Sequence, residues 1–170
     1  FELDTAQIND PKSKFSIVGG RLNTDYFDGP MTINKAQNRC VIMRIDNELK
    51  GRDFKNKMKL YEGELVNGKW KNFNPLPFNS DDYSNGHPAY GESDSILYFI
   101  SDKPDGFGGF DMYSSEKLNG KWQTPINLGT VLNSRYNEVF PYYRNNKLYF
   151  SSDGFSGYGG LDILISEYNG

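Results

Sequence analysis

The sequence predicts an all-β protein built from repeated antiparallel meanders, and three observations carry that prediction. The 170 residues include 12 Tyr, 12 Phe and 2 Trp set among 18 Gly and 8 Pro. Aromatic side chains favour pleated surfaces, while Gly and Pro punctuate turns. The chain also repeats itself. "NGKW" stands at 67–70 and 119–122, "YF" at 98–99 and 149–150, and "GGFD" at 108–111 returns as "GGLD" at 159–162. Pro88 matches Pro141, and "NS" at 79–80 matches "NS" at 133–134, so all five landmarks share a step of 51 to 54 residues. A fixed period of this length marks a repeat architecture. Finally, no stretch shows helical apolar periodicity of useful length, whereas short apolar runs bounded by turn residues recur along the chain.

The most regular unit spans 87–139. "HPAYG" (87–91) reads as a short inner strand, "ESDS" as a turn and "ILYFIS" (96–101) as a continuously apolar strand. The loop "SDKPDGFGGFD" (101–111) follows, then the strand "FDMYSSEKL" (110–118). "NG" at 119–120 signals a hairpin into a fourth strand, "KWQTPINL" (121–128), whose Pro125 suits an edge position. Four antiparallel strands with a proline in the outermost describe a β-propeller blade. Residues 30–86 form a second such unit, with strands "MTIN" (31–34), "RCVIMRI" (39–45), "MKLYEGEL" (58–65) and "KWKNFNPL" (69–76). The third unit, 140–170, has "FPYYR" (140–144), "KLYFSS" (147–152) and "LDILISEY" (161–168), and stops at "NG" where an outer strand should begin.

Residues 1–29 supply a counterpart for that strand. "FSIVGGRLNTDY" (15–26) overlays "PINLGTVLNSRY" (125–136) at an offset of 110, so 15–22 is expected to be an outer strand and the rest a linker. The whole of 1–170 is thus expected to be a partial β-propeller of about three blades, an incomplete ring. Propellers need at least four, so the expectation is a piece of a longer protein or one half of an oligomeric ring completed by another chain.

The loop 101–111 has a twin at 152–162, "SDGFSGYGGLD". Both read as structural turns. Asp102, Asp111, Asp153 and Asp162 are placed to accept hydrogen bonds from loop amides, as in Asx turns. Gly106, Gly108, Gly109, Gly159 and Gly160 are expected to supply positive φ or room for close approach. Phosphate binding would need a helix behind the loop, and the ligand spacing of an EF-hand is absent. The sialidase Asp box is the nearest other motif, but Phe155 and Tyr158 replace its glycine and tryptophan.

A net charge of −3 with both signs mixed argues against a nucleic-acid partner, and no apolar run is long enough for a transmembrane helix. His87 is the one histidine and Cys40 the one cysteine. Neither has the companions of a triad or a zinc site, so both read as structural. No catalytic residue, metal or cofactor is expected.

Repeats of the form P-x-(Y/F), LYFxSD, GGxD-(I/M)-Y, NGKW and LG-x-x-(L/I)-N(S/T) resemble the WD40-like "PD" propeller repeats of OmpA-like, peptidoglycan-associated envelope proteins. The resemblance covers 9–170 and is strongest in the second and third units; the first has Lys59 where the others have Asp111 and Asp162. It implies a periplasmic, outer-membrane-associated scaffold that binds other envelope proteins, in some members linked to type nine secretion. The peptidoglycan-binding segment of that class is not in this chain. Partner contacts are expected from the loop residues Phe107, Phe155 and Tyr158 and the linker residues Tyr83, Arg135 and Tyr136, aromatic and arginine anchors being typical of interfaces. Lys50, Arg52, Lys55 and Lys57 are expected on the same face as solvated charges. A carbohydrate-binding or glycan-cleaving propeller is the alternative expectation.

Overall fold

The computed structural model describes residues 20–25, 27–45 and 56–167. Within them there is no helix, and twelve strands form three antiparallel sheets. The first sheet is a meander of β1 (Phe27–Ile33), β2 (Arg39–Ile45), β3 (Met58–Val66) and β4 (Lys69–Pro75). The second runs β5 (Asn85–Tyr90), β6 (Ile96–Ser101), β7 (Asp111–Leu118) and β8 (Lys121–Trp122), with β9 (Ile126–Asn127) also pairing with β7. The third contains β10 (Glu138–Arg144), β11 (Lys147–Ser152) and β12 (Asp162–Glu167). None of the sheets closes on itself.

The apolar runs reflect burial on both faces of the strands. Along β2, Val41 and Met43 join Leu60, Leu97, Phe99 and Tyr113 in a core between the first and second sheets. The alternate residues Cys40 and Ile42 turn the other way, toward Leu22 and Trp70. In β6, Leu97 and Phe99 face the first sheet, while Ile100 joins Met112, Val139, Leu148 and Phe150 in a core shared with the third. A strand packed on both sides has no polar face, hence the unbroken "CVIM" and "ILYFI". β12 differs: Leu164 packs inward, but Ile163 and Ile165 are exposed.

The inner strands begin two residues before the positions expected for the second and third units. Asn85–Gly86 and Glu138–Val139 pair with their neighbours, and the register then slips by one residue. The slip falls at His87-Pro88 and at Phe140-Pro141, and an equivalent slip lies at Gly29-Pro30 in β1. Proline has no N–H for the ladder, so each inner strand accommodates it in a bulge. Pro30 is therefore the third member of the proline landmark. His87 (φ 45°) and Phe140 (φ 55°) occupy the left-handed region, uncommon for such side chains, and their rings stack at 4.3 Å.

The outer strand expected over 121–128 is interrupted. β8 pairs with Lys117 and Leu118, β9 with Tyr113 and Ser114, and the register slips between them, where Pro125 lies. β4 slips at the corresponding place. Most of the expected outer strand 15–22 lies outside the described residues. Gly20 bridges to Trp70, and Leu22 packs on Trp70 as Phe78 and Leu132, one residue before "NS" in their own linkers, pack on the second and third sheets. Thr24 also donates backbone and hydroxyl hydrogen bonds to Asp28, as Ser134 does to Glu138.

Candidate functional site: the loop and linker surface

Two aspartates secure each glycine-rich loop in a different way. Asp102 and Asp153, which end the "SD" pairs, grip the chain entering their own sheet's inner strand. Ser84 N–H donates to Asp102, and Asn137 donates to Asp153 through its backbone (2.8 Å) and its side-chain amide (3.1 Å). Those two donors hold the Asp153 carboxyl below the usual aspartate range. The serine of each pair acts beside it: Ser101 Oγ donates to Ser84 O, and Ser152 Oγ to Glu138 Oε1.

Asp111 and Asp162 close the loops from the far end. The amides of Phe107 (2.6 Å) and Gly108 (3.2 Å) donate to Asp111, as does Asn127 Nδ2 (2.8 Å). Asp162 receives Tyr158 N–H (3.1 Å) and Gly159 N–H (3.4 Å). Asp111 is fully buried, so its charge is compensated by these donors. None of the loop glycines has positive φ, contrary to the first alternative expected of them. Gly108 and Gly109 are needed for approach: a Cβ on Gly109 would lie 2.3 Å from Asn137 Oδ1, and one on Gly108 2.5 Å from backbone of the linker. Gly159 and Gly160 fit neither reading among the described residues, because none of these lies within 4 Å of a Cβ placed there and their φ is unremarkable. In the second sheet the loop is pressed against a linker; at Gly159 and Gly160 there is no such neighbour among the described residues.

That linker ties the second sheet to the third. Gly109 N–H donates to Tyr136 O, Phe110 N–H to Asn137 Oδ1, and Glu138 N–H to Phe110 O. Asn137 thus holds Asp153 on one side and Phe110 on the other, a role with no separate mark in the sequence. The asparagines of the "NS" landmarks have a different shared role. Asn79 bonds both the N–H and the C=O of Leu60, and Asn133 both those of Met112. Each side-chain amide thereby acts as a short extra strand beside β3 or β7.

The six residues expected at a partner surface do not share one environment. Phe107, Tyr136 and Tyr158 are exposed, Tyr158 completely. Arg135 is exposed and lies over the Tyr136 ring at 5.2 Å. Phe155 instead packs against the core between the second and third sheets, as does Phe110. Tyr83 is half-buried and points its hydroxyl at Phe78 O (3.4 Å). Phe155 and Tyr83 are thus only partly exposed, unlike the other four. Lys50, Arg52 and Lys55 lie outside the described residues; Lys57 pairs with Asp102 at 3.3 Å.

Cys40 is buried, which pushes its thiol up to about 11 and keeps it protonated. His87 is likewise shifted down by burial, and its Nδ1 accepts Phe140 N–H at 3.3 Å. Among the described residues no group of three His, Cys, Asp or Glu could hold a metal ion, and no helix is long and apolar enough to cross a membrane. No family model matches the chain, and no curated protein matches it.

Proposed function

We propose that this chain is part of a β-propeller that serves as a non-enzymatic protein-binding scaffold of the bacterial cell envelope, in the periplasm and associated with the outer membrane. In this reading the three sheets are successive blades. Their common meander order, the bulged inner strands and the equivalent linker contacts support it. The envelope placement rests on the resemblance to OmpA-like repeat proteins. The observation that carries the binding role is the exposure of Phe107, Tyr136 and Tyr158, with Arg135 stacked on Tyr136, on loop and linker segments held rigidly by Asp111, Asp153 and Asp162. Aromatic and arginine side chains presented on a fixed backbone lose little entropy on binding.

Replacing Phe107, Tyr136 and Tyr158 together by alanine tests the proposal. The variant should melt as the parent does and lose at least tenfold in capture of a partner from envelope extracts, since single anchors contribute about 2 kcal/mol or more. Undiminished capture would move the site elsewhere. Turnover of peptide, ester or glycoside substrates that vanishes with a single carboxylate would replace the scaffold reading by an enzymatic one.

A further inference from the structure

In the first two sheets, the linker that follows clamps the third strand at one residue. In the first, Leu76 N–H donates to Leu60 O (2.9 Å), and Asn79 bonds both backbone groups of Leu60. In the second, Leu128 N–H donates to Met112 O (3.0 Å), and Asn133 bonds both backbone groups of Met112. Ile163 is the corresponding residue of the third sheet. It faces Ser151 across the ladder as Met112 faces Ile100 and Leu60 faces Met43. Equal register turns its N–H and C=O away from β11, toward the open edge of the sheet. No clamp reaches them among the described residues, and the side chains of Ile163 and Ile165 are exposed.

A third clamp stands in the sequence before the first sheet. "VGGRLN" (18–23) matches "LGTVLN" (128–133), with the same spacing from the apolar residue to the asparagine. Leu22 joins Cys40, Ile42 and Trp70 on the face of the first sheet turned away from the second, and Thr24 bonds Asp28 as Ser134 bonds Glu138. This end of the molecule is opposite to β12, since strands of the first and third sheets do not touch. Packed sheets lie about 10 Å apart, so the second sheet alone separates the other two by about 20 Å. From Leu22 back to Val18 the backbone spans at most about 14 Å. A chain therefore cannot place Val18 on its own Ile163. We propose that a second copy supplies the clamp. Residues 15–18 of each chain add an outer strand to β12 of the other, with Val18 N–H donating to Ile163 O and Asn23 bonding both backbone groups of Ile163. The exchange runs both ways, so two copies of three sheets each close one symmetric ring. This inference rests on the three sheets being equivalent blades and is independent of any binding at Phe107, Tyr136 and Tyr158.

Sedimentation equilibrium of the whole chain tests the exchange. At about 100 μM, ten times a Kd of about 10 μM, most of the protein should have twice the mass of one chain. Asn23→Ala removes two hydrogen bonds at each junction and should raise the dissociation constant about tenfold or more. Ile163→Pro should leave a folded monomer, because proline is tolerated on an edge strand whose N–H faces outward. The register is read by mixing a chain carrying Ile17→Cys with one carrying Leu164→Cys, positions that correspond to the facing pair Asn127 and Tyr113. Oxidised glutathione should link the two chains in the mixture and neither chain alone, Cys40 being buried. Ser16→Cys, one residue away and so on the opposite face of the strand, should not link to Leu164→Cys. A chain that stays monomeric overturns the proposal. So does a dimer that lacks the cross-link or withstands both Asn23→Ala and Ile163→Pro, or a mass that grows beyond two copies. Capture of an envelope partner is a separate readout, so failure here and failure of the scaffold reading are distinguishable.

Discussion

The first and second sheets place the same pair of aromatic residues at the same positions and surround them differently. Tyr61 and Trp70 correspond to Tyr113 and Trp122 at a step of 52. In the first sheet Arg44 lies 4.3 Å from the Phe73 ring and 5.6 Å from that of Tyr61. The same guanidinium donates to Asp28, Arg21 O and Leu22 O. Gly63 makes room for the Phe73 ring, which would lie 2.4 Å from a Cβ there. In the second sheet the matching residues are Ser101, Pro125 and Ser115: the arginine has become a short hydroxyl, the phenylalanine a proline, and the glycine a serine that donates to Gln123 O. Side chains fill the first arrangement, and beside the second lies a cavity of about 290 Å³ lined by Phe78, Phe99, Tyr113 and Trp122. A repeat fixes backbone positions, and a few side-chain exchanges decide whether a site is sealed or open.

The strongest way to break this comparison is at Asp111, whose counterpart is Lys59. Asp111→Ala removes a buried acceptor and strands three donors, and should cost about 3 kcal/mol or more in denaturant unfolding. Lys59→Ala, at a residue paired with a largely exposed Asp81, should leave stability almost unchanged. Equal losses at the two sites would mean that the loops are anchored elsewhere.

A second comparison should give equality. Asn79→Ala and Asn133→Ala each delete two hydrogen bonds to a central strand, so each should cost about 2 kcal/mol. A loss confined to one of them would show that the asparagine clamp is not a shared device of the two sheets.

The smallest effect separates the two glycine loops. Gly109→Ala should cost about 1 kcal/mol or more, because the new methyl meets Asn137. Gly160→Ala should change the melting midpoint little or raise it slightly, since alanine restricts the unfolded chain and meets none of the described residues in the folded one. A matching loss at Gly160 would mean that its surroundings are closed in solution.

Strand identity was legible in the sequence where burial imposes a pattern. "RCVIMRI" and "ILYFIS" were placed to the residue, because two-sided burial leaves a continuous apolar run. The bulges were not, since a Gly-Pro or His-Pro step reads as a turn or a strand start when its neighbours are unknown. For that reason the sequence pairs only Pro88 with Pro141, and the fold adds Pro30. The loop aspartates stood out because their spacing repeats, but the hydrogen-bonding roles of Asn79, Asn133 and Asn137 depend on strands brought close only by folding. Exposure was the least legible property. Phe155 and Tyr158 sit three residues apart in one loop, and only the fold decides that the first is covered and the second bare.

The three inner-strand prolines also bear on aggregation. β1, β5 and β10 each end the strand order of their sheet, so each offers a ladder that another chain could extend. Pro30, Pro88 and Pro141 interrupt that ladder in mid-strand, leaving no uninterrupted template for cross-β stacking. β12, at the opposite end of the third sheet, has no proline and displays Ile163 and Ile165. Among the described strands, it is where self-association of this chain would be expected to start.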